Sequence, residues 1–416
     1  MKLLVAPHEL TIGGSQINAI DLAAGAADAG HDVVVYGVPG PLVDYVEERG
    51  VTFVPARRLR YRPAPSRIAQ LAGLARQLDL DLIHAYEWPP CLDAYYGAHL
   101  ALRVPLVCTV LSMSVSPLVP SSVPLIMGTQ ALSAEARRRQ RAEVWTLEPP
   151  IDTVADHPGI DGAEFRRSRG VGEEELLVVT VSRLAIDLKL DALVRAIDAV
   201  DLLAARLPVR LEIVGGGPAG DALRDRGVAV NERWGREVVG FSGPLMDPRA
   251  AYASADVVVG MGSSVLRAMA VGRPVVVQGE GSFSKTFAPE TQGYFLHHGF
   301  WGRGDAAATS EPLARQLAAL LEDPDARERL GVFGRRAVED QFSLRRGVVR
   351  QLEIYEQVLE ARTHGRRSGR DAIDAAGRSL ALEVRAHDPR RKRVRRETEL
   401  AVLRAAGRVR ESAAHA

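Results

Sequence analysis

Cysteine is nearly absent: the 416 residues contain only Cys91 and Cys108. Two thiols cannot make a disulfide framework, which points to a reducing compartment. Neither stands in a CxxC or Cys/His spacing, which argues against a structural zinc site. Long apolar runs are missing as well. No stretch approaches the ~18–20 residues of a membrane helix, and the N-terminal run Lys2–Pro7 is far shorter than a signal peptide's. The protein is therefore expected to be cytoplasmic, at most peripheral to the inner membrane face. Lysine is scarce, four of the 53 basic residues. Net charge is nearly missing too: 52 acids leave a formal +1, which argues against a chain that works by coating nucleic acid. The balance is uneven, however. Residues 362–416 hold 15 basic and 7 acidic residues, leaving 38 and 45 in the rest. A mildly acidic body carries a basic extension.

What is present is an alternation of short apolar runs with helical patterns. Lys2–Pro7, Asp32–Val38, Asp81–Ala85 and Pro105–Val110 read as strands, with a helix over Gln16–Ala29. The pattern restarts with strands at Leu176–Val181, Val209–Val214, Ala255–Val259 and Arg273–Val277, separated by helices over Ala192–Ala205 and Ser264–Val271. Strand–helix alternation of this kind predicts α/β domains with doubly wound parallel sheets. Pro149-Pro150 disfavours helix and marks a hinge. The expected domains are 1–150 and 151–345, a closing helix over 346–364, and a basic Arg/Ala-rich helical extension over 365–416 that is dispensable for catalysis. Ligands of such sheets bind beyond the carboxyl ends of the strands.

Several strand ends carry residues suited to that position. Gly13-Gly14-Ser15-Gln16 follows the first strand and opens a helix, whose free amides suit a phosphate; a purely structural turn has the same pattern. The stretch matches neither GxGxxG nor GxxxxGK[ST]. Arg183 and Lys189 follow the first strand of the second half, where two cations can clamp a diphosphate or simply face solvent. Gly215-Gly216-Gly217-Pro218 is either a close approach to a base or sugar or a tight turn. Phe241 lies in a similar stretch. Gly262-Ser263-Ser264 opens the helix after the third strand of that half, with either serine placed to cap it.

Read together, Gly13-Gly14-Ser15-Gln16, Gly30-His31-Asp32-Val33, Asp81-Leu82-Ile83-His84, Ser182-Arg183-Leu184 with Lys189, Ile213–Pro218, Tyr252 with Ala255-Asp256, and Ala268–Val275 resemble the retaining nucleotide-sugar glycosyltransferases of glycosyltransferase family 4. The resemblance spans roughly residues 1–360 and implies the GT-B fold, two Rossmann-like domains facing a cleft. It implies that the nucleotide sugar is a co-substrate, that no cofactor or metal is needed, and that the C-terminal domain holds the nucleotide and the N-terminal one the acceptor. Gly13, Gly14, Gly262, Ser263 and Ser264 would contact the donor diphosphate. Arg183 and Lys189 would neutralise it as the leaving group departs. Gly217, Phe241, Arg267 and Glu280 fall to the donor nucleotide and sugar, and His84 and Glu87 to the acceptor side.

The chain also departs from the pattern. The family usually places one Glu before the Ala-Met-Ala segment and another eight residues earlier; here Arg267 and Val259 stand there. Leu111 replaces a His. Arg267 only donates hydrogen bonds, so it is expected to touch phosphate or to pair with Glu280, itself a substitute carboxylate or an ordinary loop acid. Ser282–Thr286 and Phe300-Trp301-Gly302 are expected as a loop over the donor or as packing. The altered carboxylates keep two other readings open: a non-catalytic nucleotide-binding or partner protein, and a pseudo-glycosidic or epimerising enzyme. The acceptor is expected to be a small or lipid-linked molecule. The basic clusters at Arg57–Arg62, Arg137–Arg141 and Arg390–Arg396 suit an anionic membrane or a solvated face, and no specific nucleic acid is expected.

Overall fold

Continuous apolar strands with amphipathic helices between them bury both faces only in a parallel sheet covered on each side. The computed structural model, which describes residues 1–59, 62, 64–139, 142–304, 309–361 and 369–408, contains two such sheets. The first is formed by β1 (Lys2–Ala6), β2 (Asp32–Gly37), β3 (Thr52–Pro55), β4 (Leu82–Tyr86), β5 (Leu106–Val110), β6 (Leu125–Met127) and β7 (Val144–Thr146). Its order is β3-β2-β1-β4-β5-β6-β7. The second is formed by β8 (Leu176–Val181), β9 (Val209–Val214), β10 (Val239–Gly243), β11 (Val257–Gly260), β12 (Val275–Gln278) and β13 (Ser284–Thr286), in the order β10-β9-β8-β11-β12-β13. Every pair is parallel except β12 with β13. The order reverses beside β1 and beside β8, the switch points at which such sheets open toward a ligand.

The chain divides into two compact units. One holds Met1–Asp152 and Phe342–Lys392, the other Thr153–Gln341 and the residues from Arg393 on. The helix Leu344–Ala361, expected as a separate closing element, belongs to the first unit's core. Its Ile354, Tyr355 and Val358 are buried with Leu3, Val5 and Ile20, and Gly347 lies against Pro150. The helix Gly369–His387 also packs on the first unit: Ala375 and Ser379 are buried, and the Tyr96 hydroxyl donates to the Ala372 carbonyl at 2.6 Å. The helix Pro389–Gly407 ends with Ala406 in the second unit's core. The extension is therefore two helices built into the structure, not an appendage.

One expectation is corrected here, and another is decided in favour of packing. Ser282–Thr286 is not a loop: Ser284–Thr286 is the antiparallel edge strand β13, paired with β12. Phe300 stacks on Phe295 at 5.4 Å within a buried aromatic group that includes Phe287, so it is core. Arg60, Tyr61 and Arg141 of the basic clusters lie outside the described residues.

Candidate functional site

In the second unit the expected residues gather at the carboxyl ends of β8, β9, β11 and β12. Arg183 is exposed just past β8, while Lys189, at the start of the helix Leu190–Leu203, is half-buried. The two are close enough to interact. Burial first, and then the Arg183 charge, push the Lys189 ammonium down to about 8. Neither side chain has a carboxylate partner among the described residues. Two uncompensated cations side by side, one of them desolvated, form a site that gains from a divalent anion. Leu188, directly before Lys189, has φ +63, a conformation costly for a branched residue and more frequent at binding sites.

The turn after β9 holds this end in shape. A β-carbon on Gly215 (φ +148) would lie 1.8 Å from the Ser182 carbonyl oxygen, and one on Gly217 (φ +153) 2.5 Å from that of Leu184. The Leu184 amide donates to the Gly216 carbonyl at 2.9 Å. Gly217, expected at the nucleotide or sugar, is a position where the chain's own backbone passes close by, and it supports the strand end that carries Arg183. Phe241 is half-buried on β10 and packs on the second unit's core, with Gly227 beneath its ring.

The helix Ser263–Ala270 starts at Gly262, which has φ +67 and caps without a side-chain bond. Neither serine is the cap. Both are in the first turn, and the Ser264 hydroxyl donates to the Met261 carbonyl at 3.2 Å. Gly262 donates its own amide to the Phe300 carbonyl at 2.7 Å.

Two further assignments change. Arg267 does not meet Glu280: its guanidinium holds Asp156 through two bonds of 2.8 and 3.0 Å, and that carboxylate is buried. Glu280 instead accepts from Arg303 at 2.9 and 2.5 Å. Val259 is fully buried in β11, so no side-chain carboxylate stands at either usual family position. Arg195, which the sequence reading overlooked, is buried and bonds Asp191 and the carbonyls of Gly279 and Phe283. It ties the helix after Lys189 to the loop after β12. Its only advance signal is an arginine on the apolar face of a helix.

In the first unit Gly13 is the extended N-cap of the helix Gly14–Asp28, whose first amides carry no side-chain cap. His84 does not face an acceptor. It is fully buried, its ring nitrogens 2.7 Å from the Tyr355 hydroxyl and 2.6 Å from the Thr109 hydroxyl, and burial pushes its pKa down to about 3. Glu87, just past β4, has φ +66 and accepts from the Leu111 and Ser112 amides, both at 2.9 Å. It shapes the loop after β5. Past β1 the reading also missed His8, whose pKa is lowered by burial and by Arg62. Near it the buried Asp93 holds Arg67 at 3.2 Å and Arg62 at 3.4 Å.

Residues 12–149 match the model of Glycosyltransferase Family 4, and residues 175–323 that of the Glycosyl transferases group 1. An uncharacterized glycosyltransferase of Methanocaldococcus jannaschii is 26% identical over 69% of this chain and 82% of its own length. A phosphatidyl-myo-inositol mannosyltransferase of Mycolicibacterium smegmatis is 28% identical over 78% of this chain and 85% of its own. Among solved structures, Anabaena HepE in complex with UDP superposes with a TM-score of 0.68 at 20% identity, covering 86% of this chain and all of that one.

Proposed function

We propose, for a chain that belongs to the family 4-type glycosyltransferases of GT-B fold, that it transfers a sugar from a nucleotide diphosphate to an acceptor with retention of configuration. The observation that carries this is the Arg183–Lys189 pair, two adjacent cations that have no carboxylate partner among the described residues, at a strand end. As the bond from the anomeric carbon to the diphosphate oxygen breaks, negative charge grows on that oxygen, and fixed cations stabilise it most in that state. These cations supply the neutralisation for which other enzymes use a metal, so the proposal requires none. The Ser263 and Ser264 amides at the helix terminus add dipolar support. HepE has been solved with UDP and with UDP-glucose, which makes UDP the first nucleotide to test.

The change Arg183→Ala/Lys189→Ala is expected to lower turnover by at least about 10²–10³-fold, the scale of losing one charge-stabilising donor, and to abolish UDP-induced thermal stabilisation. Activity of the unaltered protein is expected to survive EDTA. Intact turnover in the double variant would remove the role given to the pair. A second reading, nucleotide binding without transfer, is favoured by Val259 and by the engagement of Arg267 with Asp156. Stabilisation by UDP with no turnover of any nucleotide sugar would establish it.

A further inference from the structure

The extension helix Gly369–His387 uses only one side to hold the first unit. Ala375 and Ser379 are buried there, Arg378 donates to the Pro117 carbonyl at 3.0 Å, and the Glu383 carboxylate accepts the Arg62 amide at 2.9 Å. The opposite side presents Ile373, Leu380 and Val384, which are 74%, 62% and 66% exposed. At 100° per residue these positions fall within about 40° of one another, a single stripe about 16 Å long. Isolated exposed aliphatics are ordinary; three aligned on the outer face of a docked helix are not. Arg370 and Arg385 are exposed on the same helix, as is Asp374, and Arg390, Arg391 and Lys392 follow it at once, also exposed.

We propose that this face rests on an anionic lipid bilayer, with Ile373, Leu380 and Val384 entering the interface and the flanking arginines meeting phosphate headgroups. An in-plane amphipathic helix has this composition, an aliphatic stripe bordered by cations. The inner face is held by the protein, so the helix lies on the membrane and does not cross it. Charge decides against the other occupants. An isologous second copy presents the same net-basic patch, with no excess of acidic charge to meet the Arg390-Arg391-Lys392 block. A nucleic acid has no use for an aliphatic stripe, and the helix carries no Phe, Tyr or Trp to stack on bases. The inference is independent of the transferase reading, since no residue of the donor site takes part.

The test is sedimentation of the full chain with phosphatidylcholine vesicles carrying about one-third phosphatidylglycerol, and with pure phosphatidylcholine vesicles, at about 0.1 M salt. The unaltered chain is expected to pellet with the anionic vesicles and to stay in solution with the neutral ones. Ile373→Ser/Leu380→Ser/Val384→Ser is expected to reduce partition at least about tenfold without changing the unfolding temperature, because all three side chains are exposed. Arg390→Ala/Arg391→Ala/Lys392→Ala is expected to weaken binding and flatten its salt dependence. The proposal is overturned if the unaltered chain pellets with neither vesicle, or if the serine variant binds as well as the unaltered chain. It is also overturned if the chain is a dimer that the serine changes dissociate, or if duplex RNA binds it tightly enough to strip it from the vesicles.

Discussion

Lys189 is one of four lysines in a chain that otherwise relies on arginine, and at this position the difference is chemical. A lysine held at about 8 is charged at neutral pH and loses its charge just above, whereas arginine stays charged. UDP affinity is therefore expected to be level from about pH 7, above the range in which a terminal phosphate takes up its proton, to pH 8, and to fall above it by at most about tenfold per pH unit. Lys189→Arg is expected to keep the affinity level, which calorimetric titration across that range will show. Stability of the empty protein runs the opposite way. Between pH 8 and the ordinary lysine value of 10.5 the unfolded chain holds the extra proton, so this group adds stability as pH rises. Glu148 shows the reverse case in the first unit. Burial raises it from 4.5 to about 7, so between those values the folded chain holds the proton and the group's contribution falls as pH rises. Glu148→Gln is expected to lose less stability than the unaltered protein from pH 4.5 to 7, measured by thermal unfolding.

At the scale of elements, the turn after β9 matters more than its sequence suggests. Gly215→Ala would place a β-carbon 1.8 Å from the Ser182 carbonyl, at a φ that side chains rarely adopt. The turn must leave the end of β8. A cost of about 1–3 kcal/mol is expected, the range for forcing atoms into a packed site, together with weaker UDP binding because Arg183 moves with Ser182. Denaturant unfolding and UDP titration of the variant check both. Eight of the thirteen strands among the described residues were legible because doubly covered strands leave continuous apolar runs, whereas β3 and the glycine-bearing β10, four and five residues long, were not read as strands. β6, β7 and β13, three residues each, are too short to leave a pattern. The Arg183–Lys189 pair was legible as two cations after a strand. The partners of the other candidates were not, because they are distant in sequence: Asp156 is 111 residues from Arg267, and Tyr355 is 271 from His84. A burial pattern read locally cannot reveal such pairings. Gly217 is ambiguous for a related reason. The sequence shows that backbone must pass close to something at Gly217, not whether that is a ligand or another stretch of the same chain.

For the whole molecule, the basic extension that balances an acidic body is also part of what holds each unit together. Its first helix covers Ala372 and Ala375 against the first unit's core side chains. Its second helix places Ala406 in the second unit's core, where Arg226 donates to the Ala406 carbonyl at 3.0 Å. Arg395 also lies close enough to Asp187 for the two charges to interact, so the second helix passes the segment that leads to Lys189. Removing residues 368–416 therefore uncovers apolar surface in both units and takes a charge away from the segment that leads to Lys189, which puts the expected dispensability of the extension to the test. A chain ending at residue 367 is expected to unfold several degrees lower, because each kcal/mol lost shifts the midpoint by about 2–4 °C in a unit of this size. It is also expected to bind UDP more weakly. Calorimetric unfolding with and without UDP separates these effects: a lower midpoint with an unchanged UDP increment confines the extension to stability, while a smaller increment extends its influence to the Arg183–Lys189 site.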